Sequence, residues 1–213
     1  RRKALGLAHN IVVKNPFFNW LLTPMGAVPA DPEIADEALA RGFSLLVYPG
    51  GEKESFRPYT ERKKIDFFGR KGFIKLALRN KIPIVPIVSI GAHESYIILN
   101  RGEKLAESLG LKKLFRLHGL PITFRSVFFL WCVFTGVFTF FPLLLAPWAF
   151  LAVFIPLPCK MKFRILEPIV PSDHYDPRLS ESENLDRIYQ LVVDQMQSVL
   201  SAEYSQRSLP ILG

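Results

Sequence analysis

Cysteine is nearly missing from this chain, with only Cys132 and Cys159 among 213 residues. That excludes a disulfide-built secreted scaffold, and both cysteines read as small apolar residues in or beside an apolar run. No Cys/His spacing suits a metal, so none is expected. There is no zinc-finger pattern and no RNP-like aromatic stripe, which argues against nucleic acid as a partner. No internal repeat or low-complexity linker divides the chain, so residues 1–213 read as one domain. Charge is absent altogether from residues 126–159. Intrinsic disorder is excluded by what remains, because 49% of the residues are hydrophobic and only 22% charged, enough to bury a core.

What is there is unevenly distributed. Residues 1–125 carry 21 Lys/Arg against 11 Asp/Glu, whereas residues 160–213 carry 6 against 8. The basic excess therefore belongs to the first block. Residues 57–81 alone hold nine cations against Glu61 and Asp66. Such a patch suits phosphates of a small substrate, anionic lipid headgroups, or simply a solvated basic face. The apolar run further along favours lipid.

That run, SVFFLWCVFTGVFTFFPLLLAPWAFLAVFIPLPC, is 34 residues long with eight Phe and two Trp. One membrane span needs about 20 apolar residues and two spans with a turn need more than this run has. Pro142 and Pro147 interrupt it near the middle, and Arg125 and Lys160 flank it. The reading is an inserted, membrane-associated apolar hairpin over residues 126–159, re-entrant or interfacial. A single tilted span and a buried helix pair are the alternatives.

The remaining pattern alternates α and β. Residues 3–8 suit a strand and residues 16–24 a helix or membrane-facing turn. Asp31-Pro32 followed by EIADEALARG is a helix with its cap, its first-turn proline and a stop at Gly42. FSLLVY (43–48) and IPIVPIVSI (82–90) are apolar runs expected as strands covered on both faces, with GRKGFIKLALRN (69–80) as the amphipathic helix between them. That order is a βαβ unit with parallel strands. MKFRIL (161–166) alternates with period two. Leu185, Ile188, Leu191, Val192, Met196, Val199 and Leu200 hold helical spacing, expected to pack back on the sheet. The fold class is α/β, a mostly parallel sheet flanked by helices.

The chemistry concentrates in YPGGEKESFRP, immediately after the first apolar strand. Ligands of α/β sheets bind beyond strand carboxyl ends, and paired glycines let backbone N–H groups approach an oxyanion or phosphate. Pro49, Gly50 and Gly51 form this loop. Lys53, Arg57, Arg70 and Lys71 are the cations within reach of it, and Glu54 suits orienting a base or accepting a substrate hydroxyl. An ordinary tight turn explains the Pro-Gly-Gly equally well on chemistry alone.

Taken in order, YPGGEKESF, GRKGFIKLALRN and IPIVPIVSIGA resemble the phospholipid/glycerol acyltransferase superfamily. The glycine pair with Glu54 three residues later resembles the branch containing diacylglycerol acyltransferase type 2 and its bacterial relatives. PMGAVP (24–29) resembles the superfamily's second block. Where its third block often reads Phe-Pro-Glu-Gly-Thr-Arg, this chain has Gly50 for the Glu and Lys53 for the Arg, which shifts the expected acceptor toward a neutral glyceride or another lysolipid. The resemblance implies acyl transfer from acyl-CoA or acyl carrier protein, as co-substrate, to a hydroxyl of a glycerolipid or lysolipid. It implies no cofactor, a membrane as partner, and an active site on the cytoplasmic side. A non-catalytic lipid-binding or scaffolding homologue is the alternative.

The superfamily's His-X4-Asp signature does not occur here. His9, His93, His118 and His174 are followed five residues on by Lys14, Ile98, Thr123 and Leu179. No catalytic residue is therefore assigned within the chain, and the motif is expected shortly upstream of Arg1, with the domain N-terminally truncated. His9, His118 and His174 read as structural, surface or loop residues. His93, in GAHESY after the second apolar strand, sits near the site end of the sheet, where substrate contact is the lesser reading and it is not counted among the site residues.

Overall fold

The computed structural model describes residues 3–9, 13, 15–110, 119–134 and 155–207. Two compact units emerge. The first comprises residues 1–51, 67–86 and 166–194, and the second residues 52–66, 87–165 and 195–213.

In the first unit, strand β1 (Ala4–Ala8) leads through helix α1 (Pro16–Leu22) and a 3-10 turn (Thr23–Met25) to β2 (Ala27–Pro29). Helix α2 (Pro32–Ala40) and strand β3 (Ser44–Leu46) follow. β1 is central and pairs in parallel with both neighbours, with Gly6 opposite Ala27 and Leu5 opposite Leu45. The α2 start is as the sequence reads: the Asp31 carboxylate accepts from the Glu33 N–H at 2.9 Å and Pro32 occupies the first turn. Its Asp36 then accepts from Asn80 Nδ2 at 2.7 Å, tying α2 to helix α4 (Gly72–Asn80); helix α3 (Gly51–Ser55) precedes it in the chain.

Ile74 of α4 is buried with Leu185 and Ile188 of the closing helix, and Phe73, Leu78, Ile84 and Tyr189 pack around them. Phe67, also buried, meets Phe73 and Tyr189 edge-on. The closing helix starts at a reciprocal capping box. The Glu183 carboxylate accepts from Ser180 N (2.8 Å) and Ser180 Oγ (2.6 Å), while Glu183 N donates to Ser180 Oγ. The helical spacing expected over residues 185–200 is present, and in this unit its apolar face seats on α4.

The second unit contains a 3-10 turn (Tyr59–Glu61), strand β4 (Ile87–Ile90), the short helix α5 (Ala92–Ser95) and strand β5 (Ile98–Asn100). Helices α6 (Glu103–Ser108) and α7 (Phe124–Phe134) flank strand β6 (Ile122–Thr123), and β7 (Lys162–Ile165) follows. β4 pairs antiparallel with β7, and β5 with β6. The closing helix, α8 (Glu181–Ser205), belongs to both units. In the second, its Glu203 binds Lys162 Nζ at 2.6 Å and Arg164 Nε, while Gln197 clasps Lys63 O (2.9 Å) and Ile65 N (2.8 Å).

Two expectations are corrected. The strands of 43–48 and 82–90 do not form one parallel βαβ unit. β3 pairs with β1, whereas β4 sits in an antiparallel ladder with β7, so the parallel sheet is confined to three strands. Nor are those runs covered on both faces. Leu46 and Ile87 are exposed, and β4 alternates, with Val88 and Ile90 inward. Apolar composition sets how much surface a strand can bury, not whether neighbours arrive on both sides. The hairpin read over 126–159 lies largely outside the described residues. Its first part is the exposed helix α7, and among the described residues no helix is long and apolar enough to cross a membrane.

Candidate active site

The residues singled out in the sequence divide between the two units. Pro49, Gly50, Gly51, Arg70 and Lys71 lie in the first, and Lys53, Glu54 and Arg57 in the second.

In the first unit the chain reverses at Phe68 and Gly69, both left-handed with φ of 56° and 69°. Such a conformation is an outlier for an aromatic residue. It delivers Arg70 to the strand end: Nη1 donates to the carbonyls of Gly50 (3.2 Å) and Pro49 (3.4 Å). Gly51 opens α3 with φ +55°, and a Cβ there would run into Arg70 Nη1. Gly51 is thus required both by backbone and by space. Lys71 ion-pairs with Asp186 of α8 at 2.5 Å. Arg70 and Lys71 therefore each make contacts that hold the fold, Arg70 using a single nitrogen of its fork for the loop.

In the second unit Lys53 and Glu52 line a shallow cleft with Phe56, Arg101, Glu103 and Gly119. Arg101 is ion-paired to Glu61 at 2.8 Å. Arg57 is not a surface cation: it is 2% exposed, and Nη2 donates to the Asp66 carbonyl at 2.9 Å. Burial lowers its pKa, while Glu54, Asp66 and Glu61 act in the opposite direction. The sequence gives no sign of this burial, because the Asp66 carbonyl that receives the guanidinium is supplied by a turn nine residues on.

Arg57 also acts on His93. Burial first and the Arg57 charge second lower the His93 pKa to about 4, so the imidazole is neutral at physiological pH. His93 stands in α5, directly beyond the carboxyl end of β4. Its neighbour Glu94 is wholly buried. Arg207 Nη2 lies 2.7 Å from Glu94 Oε2, but that guanidinium donates to the Lys160 carbonyl at 2.9 Å, and neither carboxylate oxygen accepts a well-aligned hydrogen bond. Burial raises the Glu94 pKa, with Arg207, Arg62 and Tyr204 opposing. Glu94 and Arg207 were missed in the sequence because a buried charge has no periodic signature, although a carboxylate between His93 and Ser95 in a strand-end turn was a visible hint. Among the described residues no group of His, Cys, Asp and Glu is arranged to hold a metal.

The second unit thus holds a buried cation, Arg57, and on one short turn a neutral imidazole, His93, next to a wholly buried acid, Glu94; of the three only His93 is partly accessible.

The diacylglycerol acyltransferase profile matches residues 6–143. An uncharacterised protein of Mycobacterium tuberculosis is 31% identical over 169 residues, 79% of this chain and 40% of its own length. The DGAT1/2-independent enzyme synthesizing storage lipids of Bos taurus is 32% identical over 110 residues, 52% of this chain and 30% of its own. Diacylglycerol O-acyltransferase 2 of Homo sapiens is 32% identical over 84 residues, 38% of this chain and 22% of its own. The chain thus spans about 40% of the length of the mycobacterial relative. No solved structure matches it.

Proposed function

We propose acyl transfer to a lipid hydroxyl as the function of this chain, which belongs to the diacylglycerol acyltransferase family. The donor is acyl-CoA, or acyl carrier protein, and the acceptor a glycerolipid or lysolipid. One observation carries the reading: the family match over residues 6–143 takes in both the 49–57 segment and the 91–95 turn.

The reaction is general-base acyl transfer. A base removes the proton of the acceptor hydroxyl, the oxygen attacks the thioester carbonyl, and the tetrahedral oxyanion collapses with loss of the thiolate. No histidine in the 213 residues has an acid five positions on. The His-X4-Asp base is therefore proposed to lie in a part of the protein that this chain does not span. Lys53 and Glu54 belong to the wall of the substrate site. Pro49, Gly50 and Gly51 shape the turn before them, and Arg70 holds the carbonyls of Pro49 and Gly50.

The protein works at a membrane surface. Phe124, Phe128, Leu130 and Trp131 of α7 are all exposed, with Arg125 among them, and Phe128 and Trp131 lie 5.9 Å apart. Aromatic residues beside cations suit the headgroup boundary. Acceptor and acyl chain both partition there, with the site on the cytoplasmic side.

A lipid-product assay of the full-length protein tests this. Labelled palmitoyl-CoA is supplied with vesicles carrying diacylglycerol, monoacylglycerol or a lysophospholipid. Labelled ester from at least one acceptor is the expected result. Acyl-CoA binding without ester formation on any acceptor would favour the non-catalytic lipid-binding reading.

A further inference from the structure

We propose that both ends of the uncharged run stay on one side of a phospholipid bilayer, so that this chain meets the membrane from a single leaflet, with α7 and residues 155–165 forming one lipid-facing surface. This rests on the membrane-surface reading above and adds the side from which the bilayer is reached.

The two ends are tied to the same short stretch of the second unit. Phe124, which opens α7, donates its N–H to the Ile97 carbonyl at 3.0 Å, and Leu157 donates its N–H to the Ser95 carbonyl at 2.8 Å. Arg125 Nη1 donates to the Ile155 carbonyl, a contact between residues 30 apart in the chain. The first turn of α7 is fixed as well: Ser126 Oγ donates to Thr123 O at 2.8 Å and Ser126 N to Thr123 Oγ1 at 3.1 Å. The chain therefore leaves at 124 and returns at 155–157 beside its own point of departure. Ends held this close cannot stand on opposite faces of a hydrocarbon layer about 30 Å thick, which excludes a single span. Crossing and returning is excluded by length alone. Helix is the conformation that satisfies such a backbone in lipid. At a rise of about 1.5 Å per residue, 30 residues give a path of about 45 Å, and out and back it reaches about 22 Å, short of the far surface.

Both ends also carry the apolar surface that such a contact needs. Phe128 and Trp131 are exposed on α7, and Ile155 and Met161 are exposed where the chain returns. Along β7 the side chains alternate. Lys162 and Arg164 turn to Glu203, which leaves Phe163 and Ile165 on the opposite face, 62% and 74% exposed. Between Arg125 and Lys160 there is no charge at all. A cation at each end of the run matches a headgroup layer reached from one side, whereas a single span is marked by a cationic excess at one end. The uncharged run that joins the two exposed patches makes a bilayer, rather than a second protein, the partner that covers both.

The test uses the full-length protein in sealed membrane vesicles from expressing cells. Leu120→Cys and Lys160→Cys, one on each side of the run, are introduced singly in a background without other cysteines. Each is treated with a membrane-impermeant maleimide before and after the vesicles are opened with detergent. The two positions should behave alike, both reacting before opening or both only after it. One reacting before and the other only after would overturn the single-leaflet topology and leave the membrane reading intact. The second measurement needs no substitution. The wild-type full-length protein is placed in phosphatidylcholine vesicles containing a lipid with a diazirine in its acyl chain, and the photolabelled peptides are identified by mass spectrometry. Label should appear both in 124–134 and in 155–165. Label in one and not the other would overturn the shared surface. Protein left in solution when the vesicles are sedimented would overturn the membrane reading and this proposal with it.

Discussion

Two buried polar side chains distinguish the two units. Asn184, in the first, is fully buried, and both ends of its amide are hydrogen-bonded: Oδ1 accepts from Asp176 N at 2.7 Å, and Nδ2 shares its two hydrogens among the carbonyls of Asp176, Leu179 and Ser180. Glu94, in the second, is equally buried, has one cation beside it and lacks a well-aligned donor. A satisfied buried amide rigidifies, whereas a carboxylate kept from water without full compensation is costly. The first unit is therefore organised for stability, with parallel strands, closed caps and an Ile/Leu/Phe core. The second carries groups whose burial works against stability, Arg57, His93 and Glu94.

Truncation in the two interiors should produce the largest effects, by different mechanisms. Ile188→Ala opens a cavity among Ile74 and Leu185 and should cost about 2–5 kcal/mol by urea unfolding, without a pH signature. Arg207→Met removes the cation beside Glu94 and should cost about 3–5 kcal/mol, because an uncompensated charge is left buried. Most of that loss should return in the Arg207→Met/Glu94→Gln double variant, which breaks the analogy with a simple cavity. Additive costs would mean that the two residues do not interact.

A moderate effect is expected from pH. The folded His93 pKa is about 4 against a usual 6.5. As pH falls through this window the unfolded chain gains a proton that the folded one does not. The stability contributed by His93 is thus whole above about 6.5 and is lost as pH falls toward 4. Urea midpoints at pH 8 and pH 5 should differ less in His93→Gln than in the wild type. An identical difference would show that His93 titrates normally.

Smaller still is the cap. Asp31→Ala removes the bond to Glu33 N and should cost about 1 kcal/mol, with no change in turnover per folded molecule. Trp131→Ala should move stability by less than about 0.5 kcal/mol, since the side chain is 57% exposed. It should nonetheless weaken binding to anionic vesicles in a flotation assay. Unchanged flotation would remove α7 from the membrane contact.

The same division explains what could be read before the structure. α2 was legible to its cap because Asp31, Pro32 and Gly42 act through local chemistry. The 185–200 spacing exposed the core face of α8, and apolar runs located β3 and β4. Strand pairing was not legible: β4 and β7 are separated by more than 70 residues, and nothing in either run specifies direction. For the site, Gly51 was recognisable as a close-approach glycine, and Arg70 is the side chain that stands against it. The burial of Arg57 and the Glu94–Arg207 contact depend on chain segments far apart in sequence, so composition and spacing could not supply them.

The central claim is that the chemistry lies in the second unit and the scaffold in the first. Turnover per folded molecule, measured side by side for Glu54→Gln and Ile188→Val in the full-length protein, tests it most directly. Glu54→Gln should unfold within about 0.5 kcal/mol of wild type yet lose about ten- to hundredfold in kcat/KM, about 1.4–2.7 kcal/mol of transition-state stabilisation. Ile188→Val should lose about 0.5–1.5 kcal/mol of stability and keep its kcat/KM. Wild-type kcat/KM in Glu54→Gln, or an equal loss of turnover in both variants, would contradict the account.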